Sequence, residues 1–578
     1  MIEAGRAQLG EDSLARLVGD FWTRYNPDRL SWINSAQDIR SYLSAESTQQ
    51  TQVGDLPWKN STTVPKLTQL YDNLVAYYMA AMFPDDEWFV FEGSNEDAQV
   101  KANIIEIYMR SKLEDSNFQK TIGQLVSDWV MYGSCFGGVT WIEDYTKDIV
   151  SGEEVPKYIG PSAYRIAPTD CLVNPKAGSF EESSFIRRTI KSLAELGEYT
   201  EYFSEEQIKK ILEMRRLPEE DMMDTIIDYN LSIDGFQTYA EYLRSGYVEI
   251  LEYHGSIFDI ESNKILKDRQ IIVADRLFTL LNRESPSWTY KKPIVMDSWR
   301  QLPDNLYGQG PLHQLVGMQY RCDHLENAKA DIFDQIIHPI TVIKGDMVED
   351  FEFGPGVQVR AGEGGDVSFI SPDANALLAD SQINNYHSMM EVMAGAPREM
   401  AGFRTPGEKT AFEVNALQQG ADRMFLDKIH SFEENIIKPM LNMMFELVVR
   451  NFEITDTVRI LDDETQIAQL VQITAEDVKT NGLIRPVGAK HYAERNKRVQ
   501  ELQNFISILS NPSFQPHMSA TRAGEMMERE LGFENYGIFR PYAGIDEQLL
   551  LQAHVEEMRG LLQAGGVDAA GQPLEAGI

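Results

Sequence analysis

The chain has 578 residues, 43% of them hydrophobic and 25% charged, enough for several domains and a large core. It contains no run of about 18 apolar residues, so no segment reads as a membrane span. With 89 acidic against 53 basic residues and a formal net charge of −36, it is not composed to wrap nucleic acid tightly, which takes Lys and Arg that displace counterions. Such a balance suits solubility, or a surface past which a polyanion can slide.

The opening stretch MIEAGRAQLGEDSLARL lacks the basic-then-apolar order of a secretory signal. Cys135, Cys171 and Cys322 are too scattered for a disulfide framework or a zinc site, and a reducing cytosol is the expected setting. Residues 1–60 read as helical and then irregular. From Pro65, apolar residues at Leu67, Leu70, Leu74, Tyr77, Tyr78 and Ala81 predict an amphipathic helix that Pro84 ends. A short strand follows over 88–91, a helix over about 98–131 that stops at Tyr132-Gly133-Ser134, and a buried strand over 136–142. Residues 156–190 read as short β segments and turns, with turns at 168–170 and 174–175. Two short helices come next, the second opening on a capping box of Ser204 and Gln207. Strands are expected over 247–259 and 269–281, joined through Ser262-Asn263-Lys264.

The order of elements over 306–452 is the most informative part of the chain. A helix starts near Tyr307-Gly308-Gln309-Gly310-Pro311, where proline suits the first turn. Its stripe is Leu315, Met318, Cys322, Leu325, Ile332 and Ile336, and it stops before His338-Pro339, about 40 Å on. Short strands at 340–344, 357–360 and 367–370 form a compact insert. A second helix starts at Ser371-Pro372 with the stripe Leu378, Tyr386, Met389, Met390 and Met393, read as adaptable core. The two helices can run antiparallel with the insert at their far end. A Gly/Ala/Pro-rich loop over 394–407 leads into one long helix. Its stripe is Phe412, Leu417, Met424, Ile429, Phe432, Ile436, Met440, Met443 and Leu447, with Pro439 expected to kink it. Residues 453–490 return to α/β character, 491–562 read as helical, and 563–578 as a disordered tail. The fold class is α+β, mainly helical.

Signatures of chemistry are largely missing. Gly402-Phe403-Arg404-Thr405-Pro406-Gly407-Glu408-Lys409-Thr410 resembles a phosphate-binding loop, but Glu408 separates Gly407 from Lys409 and no apolar strand precedes it. Thr405 and Glu408 instead form a capping box for the long helix. The nine histidines include no pair at metal-ligand spacing, and no loop has calcium spacing. No nucleophile elbow is present. No cofactor, metal or catalytic residue is assigned, and the chain reads as a non-enzyme. Arg398, Arg404 and Lys409, in and beside the Gly-rich loop, are candidates for light phosphate contact.

Several stretches together carry a family resemblance: NSTTVPKLTQLYDNLVAYYMAAMFP (60–84), VSDWVMYGSCFGGVTW (126–141), YRIAPTDCLVNP (164–175), LYGQGPLHQLVGMQYRCDHLENA (306–328) and GEKTAFEVNALQQGADRM (407–424). With the element order over most of 55–500, the chain resembles the portal, or head–tail connector, proteins of tailed bacteriophages, in flavour those of short-tailed phages. The resemblance implies a wing (1–306 and 408–490, the latter including the long kinked helix), a stem (307–337 and 372–393), a clip (338–371), a tunnel loop (394–407) and a crown (491–562). It implies a homo-oligomeric ring, twelve-fold in the virion, assembled in the host cytoplasm and placed at one capsid vertex. Double-stranded DNA would pass through transiently during packaging and ejection. Terminase, tail adaptor proteins, and major capsid and scaffolding proteins are the implied partners, with no membrane; ATP hydrolysis would belong to the terminase. Asp346, Glu349, Asp350 and Glu352 in the clip are candidate docking contacts. Another virion structural or scaffold protein, or a DNA-processing enzyme, are the competing classes.

Overall fold

The computed structural model describes residues 13–44, 60, 62–84, 88–147, 152–192, 247–259, 264–274, 278–337, 340–344, 366–370, 379–395, 425–451, 456–461 and 468–488. They divide into two compact units. One holds all described residues up to Val458 and again from Val471; the other holds 459–461 and 468–470. The first unit is described below. The protein is of mixed α+β type. Among the described residues no helix is long and apolar enough to cross a membrane.

Helix α1 (Ser13–Ser35) buries Ala15, Val18, Trp22, Trp32 and Ile33 on one face, and α2 (Gln37–Leu43) follows. Helix α3 (Lys66–Met82) buries Leu67, Leu70, Leu74, Tyr78 and Ala81, the stripe its spacing predicts. Strand β1 (Phe89–Gly93) comes next. The single helix expected over 98–131 is three: α4 (Glu96–Val100), α5 (Ala102–Asp115) and α6 (Phe118–Tyr132). Asn95 caps α4 by accepting the Ala98 N–H at 2.9 Å. Asn117 breaks α5 from α6 with φ 54°, a left-handed conformation that asparagine tolerates.

Strand β2 (Ser134–Lys147) and strand β3 (Glu154–Ile166) form a hairpin much longer than the expected 136–142 strand and short segments beyond it. Strand β4 (Cys171–Val173) follows a 3-10 turn at Pro168–Asp170, and β5 covers Phe185–Ser192. After β6 (Tyr247–Asp259), the single strand expected over 269–281 is two, β7 (Lys264–Ala274) and β8 (Phe278–Glu284), with Ala274 opposite Phe278. In the sequence between them stands Asp275, a residue type that strands disfavour. These five strands form one antiparallel meander, β4-β5-β6-β7-β8. Strand β9 (Ile294–Ser298) joins the hairpin as β3-β2-β9. Short strands β10 (Gln301–Leu302) and β11 (Asn305–Gly308) then pair. The two expected helices after 193, with their box at Ser204, lie outside the described residues.

Beyond β11 come α7 (Val316–Ile337), β12 (Ile340–Lys344), β13 (Asp366–Ile370) and α8 (Asp380–Ala394). The long helix is described over 425–451 and ends as α9 (Lys438–Asn451). Pro439 brings about a wide π turn at Glu433–Ile437 just before it. Proline cannot donate to the preceding turn and its ring crowds the carbonyl four residues back, so the turn opens. Of the expected stripe, Ile429, Phe432, Ile436, Met440 and Met443 are buried, as are Phe425 and Val448. Leu447 is only half-buried because the buried face there passes through Val448, and Phe412, Leu417 and Met424 lie outside the described residues. Strands β14 (Asp456–Leu461) and β15 (Ala468–Ile473), helix α10 (Ala475–Val478) and β16 (Gly482–Pro486) follow. Strand β16 pairs antiparallel with β1, so residues nearly 400 positions apart share a sheet.

Asn442 locks α9 to that sheet. Its amide accepts the Ile484 N–H and donates to the Ile484 carbonyl, both at 2.9 Å and buried. Asn442→Leu keeps the shape but orphans both backbone groups. It should cost at least about 2 kcal/mol in a denaturant titration, whereas substitutions at exposed Lys120 should stay within about 0.5 kcal/mol.

Candidate functional site

The helix pair α7–α8 leaves the body through a contact too close for side chains. Gly133, with φ +82°, caps α6; a Cβ there would lie 2.3 Å from the Gln309 carbon and Gly310 nitrogen, and one on Gly310 would lie 2.3 Å from the Val130 oxygen. The Trp32 indole closes the junction by donating to the Tyr132 carbonyl (3.1 Å) and the Gly308 carbonyl (2.9 Å) while stacking on Tyr307. The first helix therefore starts later than the sequence suggested. Tyr307 and Gly308 belong to β11, Pro311–Gln314 is a 3-10 turn, and α7 begins at Val316. The expected start of the second helix at 371–372 lies outside the described residues.

The buried face of α7 corrects the expected apolar stripe. Leu315, just ahead of the helix, and Cys322 are buried, but Met318, Leu325, Ile332 and Ile336 are only half-buried. The residues buried within α7 besides Cys322 are polar: Gln319, Asp323 and Asn327. They hold an extended strap formed by residues 60 and 62–64. Asp323 accepts the Val64 N–H (2.9 Å) and Gln319 donates to the Val64 carbonyl (2.5 Å). Asn327 accepts the Thr62 N–H (2.8 Å) and donates to the Thr62 carbonyl (2.9 Å). Asp331 accepts the Asn60 N–H (2.9 Å) and, at 2.7 Å, its side-chain amide, which also reaches Asp334 at 3.1 Å. One helix face thus does the work of a neighbouring strand. Every fourth helical residue advances about 6.0 Å and every second extended residue about 6.6 Å, close enough for successive rungs to meet.

Two ion pairs set the direction of α8. Lys329 meets Asp380 at 2.7 Å, and Lys66, two residues beyond Val64, meets Glu391 at 2.5 Å in a buried pair. The helices are therefore antiparallel, and β12 and β13 pair at their far end, Ile340 opposite Ile370. The Met face of α8, expected as core, is largely exposed: Ile383, Met390, Glu391 and Ala394 are buried, while Met389, Val392 and Met393 face out. On α7, Phe333 and Ile337 are also exposed. Side chains that pack in a core bury themselves, so the described residues do not supply the partner for either group of apolar side chains.

Arg398, Arg404 and Lys409, and the clip candidates Asp346, Glu349, Asp350 and Glu352, lie outside the described residues, as do the predicted crown, the tail and the Thr405–Glu408 box. Among the described residues no group of three or more His, Cys, Asp or Glu is placed to hold a metal ion, and the three cysteines are free and buried. Burial pushes the Cys322 thiol up to about 11. The strap ladder is the element that the sequence reading missed. Its signal is the four-residue spacing of Gln319, Asp323, Asn327 and Asp331, side chains with acceptors for backbone N–H groups. The sequence matches no protein-family model and no curated protein.

Burial raises the Asp323 pKa to about 6, against the lowering effect of the Val64 and Gln319 hydrogen bonds. The folded state therefore holds this proton more tightly than the unfolded chain. The contribution is fully present below about pH 4 and is lost as pH rises through about 6. Asp323→Asn keeps an acceptor for Val64 without the charge. It should melt a few degrees above the parent at pH 7.5 and level with it near pH 4; a pH-independent difference would count against the buried carboxylate. Asn327→Ala removes a double rung and should cost about 1–3 kcal/mol, raising proteolysis near residue 62.

Proposed function

We propose that this chain is the subunit of a portal ring, a conduit for double-stranded DNA at a capsid vertex. The observation that carries the reading is the antiparallel helix pair, capped by the paired strands β12 and β13 and bearing apolar side chains that the described residues leave uncovered. In a closed ring each copy meets the next by the same head-to-tail contact, so such stripes find cover without leaving an open end. The sequence resemblance supplies the same order of parts. The net charge of −36 supports a channel that releases DNA, because a wall rich in carboxylates gives phosphates few partners. On this reading terminase and then tail adaptor proteins dock at the clip, with Asp346, Glu349, Asp350 and Glu352 available to them, and capsid and scaffolding proteins surround the ring.

Negative-stain microscopy of the purified protein should show rings with a central hole that a duplex can enter; rods or compact monomers would overturn the reading. Phe333→Asp combined with Val392→Asp should shift the protein to monomers in mass photometry while circular dichroism stays unchanged. Rings that persist at the same concentration would remove these stripes from the interface. Arg398→Glu with Arg404→Glu should leave rings intact but reduce packaged DNA at least tenfold in infected cells. Unchanged packaging would take these two arginines out of the channel.

A further inference from the structure

Strand β2 is paired along its length on one side and for only part of it on the other. Against β3 the ladder runs from Phe136 opposite Ile166 to Lys147 opposite Glu154. Against β9 it runs only from Ser134 opposite Ser298 to Gly138 opposite Ile294. One further bond, from the Val139 N–H to the Pro293 carbonyl at 3.2 Å, ends the pairing, because proline has no N–H to return. In an antiparallel ladder alternate residues address alternate neighbours. The bonds of the Gly133 carbonyl and the Val139 N–H toward the β9 side show that odd-numbered residues face that way. Trp141 and Glu143 therefore aim main-chain N–H and C=O groups at the side β9 leaves, where no strand stands among the described residues. The Trp141 carbonyl has a long 3.5 Å contact from the Thr140 hydroxyl.

That side opens into a cleft of about 1120 Å³, bounded by the meander sheet and the end of α9. Arg165, Arg187, Lys191, Arg283 and Arg450 line it, against the carboxylates of Glu143, Glu252 and Glu446. Arg165 is held by Asp128 at 2.5 Å. Two of the lining carboxylates are saturated from within. Glu446 takes the N–H groups of Trp288 (2.6 Å) and Thr289 (2.9 Å) and the Ser287 hydroxyl (3.3 Å). Glu252 takes Gln270 (2.5 Å) and His254 (3.0 Å), with Arg187 at 3.9 Å. Burial works to raise the Glu252 pKa, but the His254 hydrogen bond and the charges of His254 and Arg187 bring it down to about 2. With Arg165 paired to Asp128, Arg187, Lys191, Arg283 and Arg450 face Glu143, Glu252 and Glu446, a slight cationic balance in a strongly acidic chain. Arg283 donates to Gln270 (2.6 Å) and Arg450 to the Pro286 carbonyl (2.5 Å), both neutral acceptors. Screening over about 8 Å at physiological salt lets that local balance prevail over the distant net charge.

We propose that the open edge of β2 accepts an extended, carboxylate-bearing segment of a partner protein as an added strand. Main-chain bonds to Trp141 and Glu143 would hold it, continuing the line of β9, and the cations around the cleft would select its acidic side chains. The register shift at Asp144 and Tyr145 ends the regular edge, so the segment is short, about five residues.

Fluorescence anisotropy with the purified full chain tests this. The probe is the labelled peptide Thr-Asp-Val-Glu-Val-Asp-Thr, with two controls: lysine at its acidic positions, and N-methylated valines. The acidic peptide should bind at least tenfold more tightly than either control. Trp141→Pro removes one N–H on the cleft side only and should lose binding that Trp141→Phe keeps. Arg283→Glu with Arg450→Glu should weaken it at least tenfold without changing circular dichroism. Equal binding of the acidic and lysine peptides, or indifference to N-methylation, overturns the proposal. So does competition by a duplex oligonucleotide in place of peptide, or photocrosslinking from Ile142 that captures another copy of this chain.

Discussion

The meeting of Gly133 with Gly310 is the constraint on which the helix pair depends. At that distance any Cβ would collide with backbone, so the end of α6 and the entry to α7 are held as one joint. Trp32 seals it with two hydrogen bonds and a stacked ring. Because the joint is made of backbone and one large aromatic, it has few rotamers in which to yield. The direction in which α7 leaves the body is thereby set before the strap adds anything.

The strap and the ion pairs act further out. Their logic is polar, and they hold parts of the chain that apolar packing alone leaves half-covered. Asp323 is buried at the cost of a raised pKa, and Lys66 and Glu391 are buried as a pair. Removing one partner of such a pair is far more damaging than the pair is stabilising, so these groups specify geometry more than they add stability. If the pair assembles as proposed, meeting neighbours in a defined orientation gains from that kind of specification.

Much of the secondary structure could be read from apolar spacing and punctuation. The stripe of α3, the stop at Gly133 and the burial of the long helix around Pro439 follow from local rules that tertiary contacts then obey. Where reading failed, something non-local or single-residue decided. Asn117 broke an otherwise continuous helical pattern by adopting a left-handed conformation, and the β2–β3 hairpin outran its apolar centre because two polar strands can pair well past the core. Apolar periodicity does not locate the buried face of α7, because here the burial is done largely by amides and a carboxylate. Its clue, four polar residues at intervals of four, gains meaning only beside the extended segment 259 to 265 positions earlier. The candidate residues near the Gly-rich loop rest on sequence alone.

The strap also behaves as a vernier. Helix and strand advance by unequal steps, about 6.0 against 6.6 Å per rung, so from Val64 to Asn60 the strap gains about 1.2 Å on the helix. The slip shows at the last rung, where Asn60 is shared between Asp331 and Asp334. A longer ladder would fall out of phase and lose its hydrogen bonds one after another. The unequal pitch thus acts as a ruler, allowing a few rungs and no more, and it marks how far down the helix the body of the protein can reach.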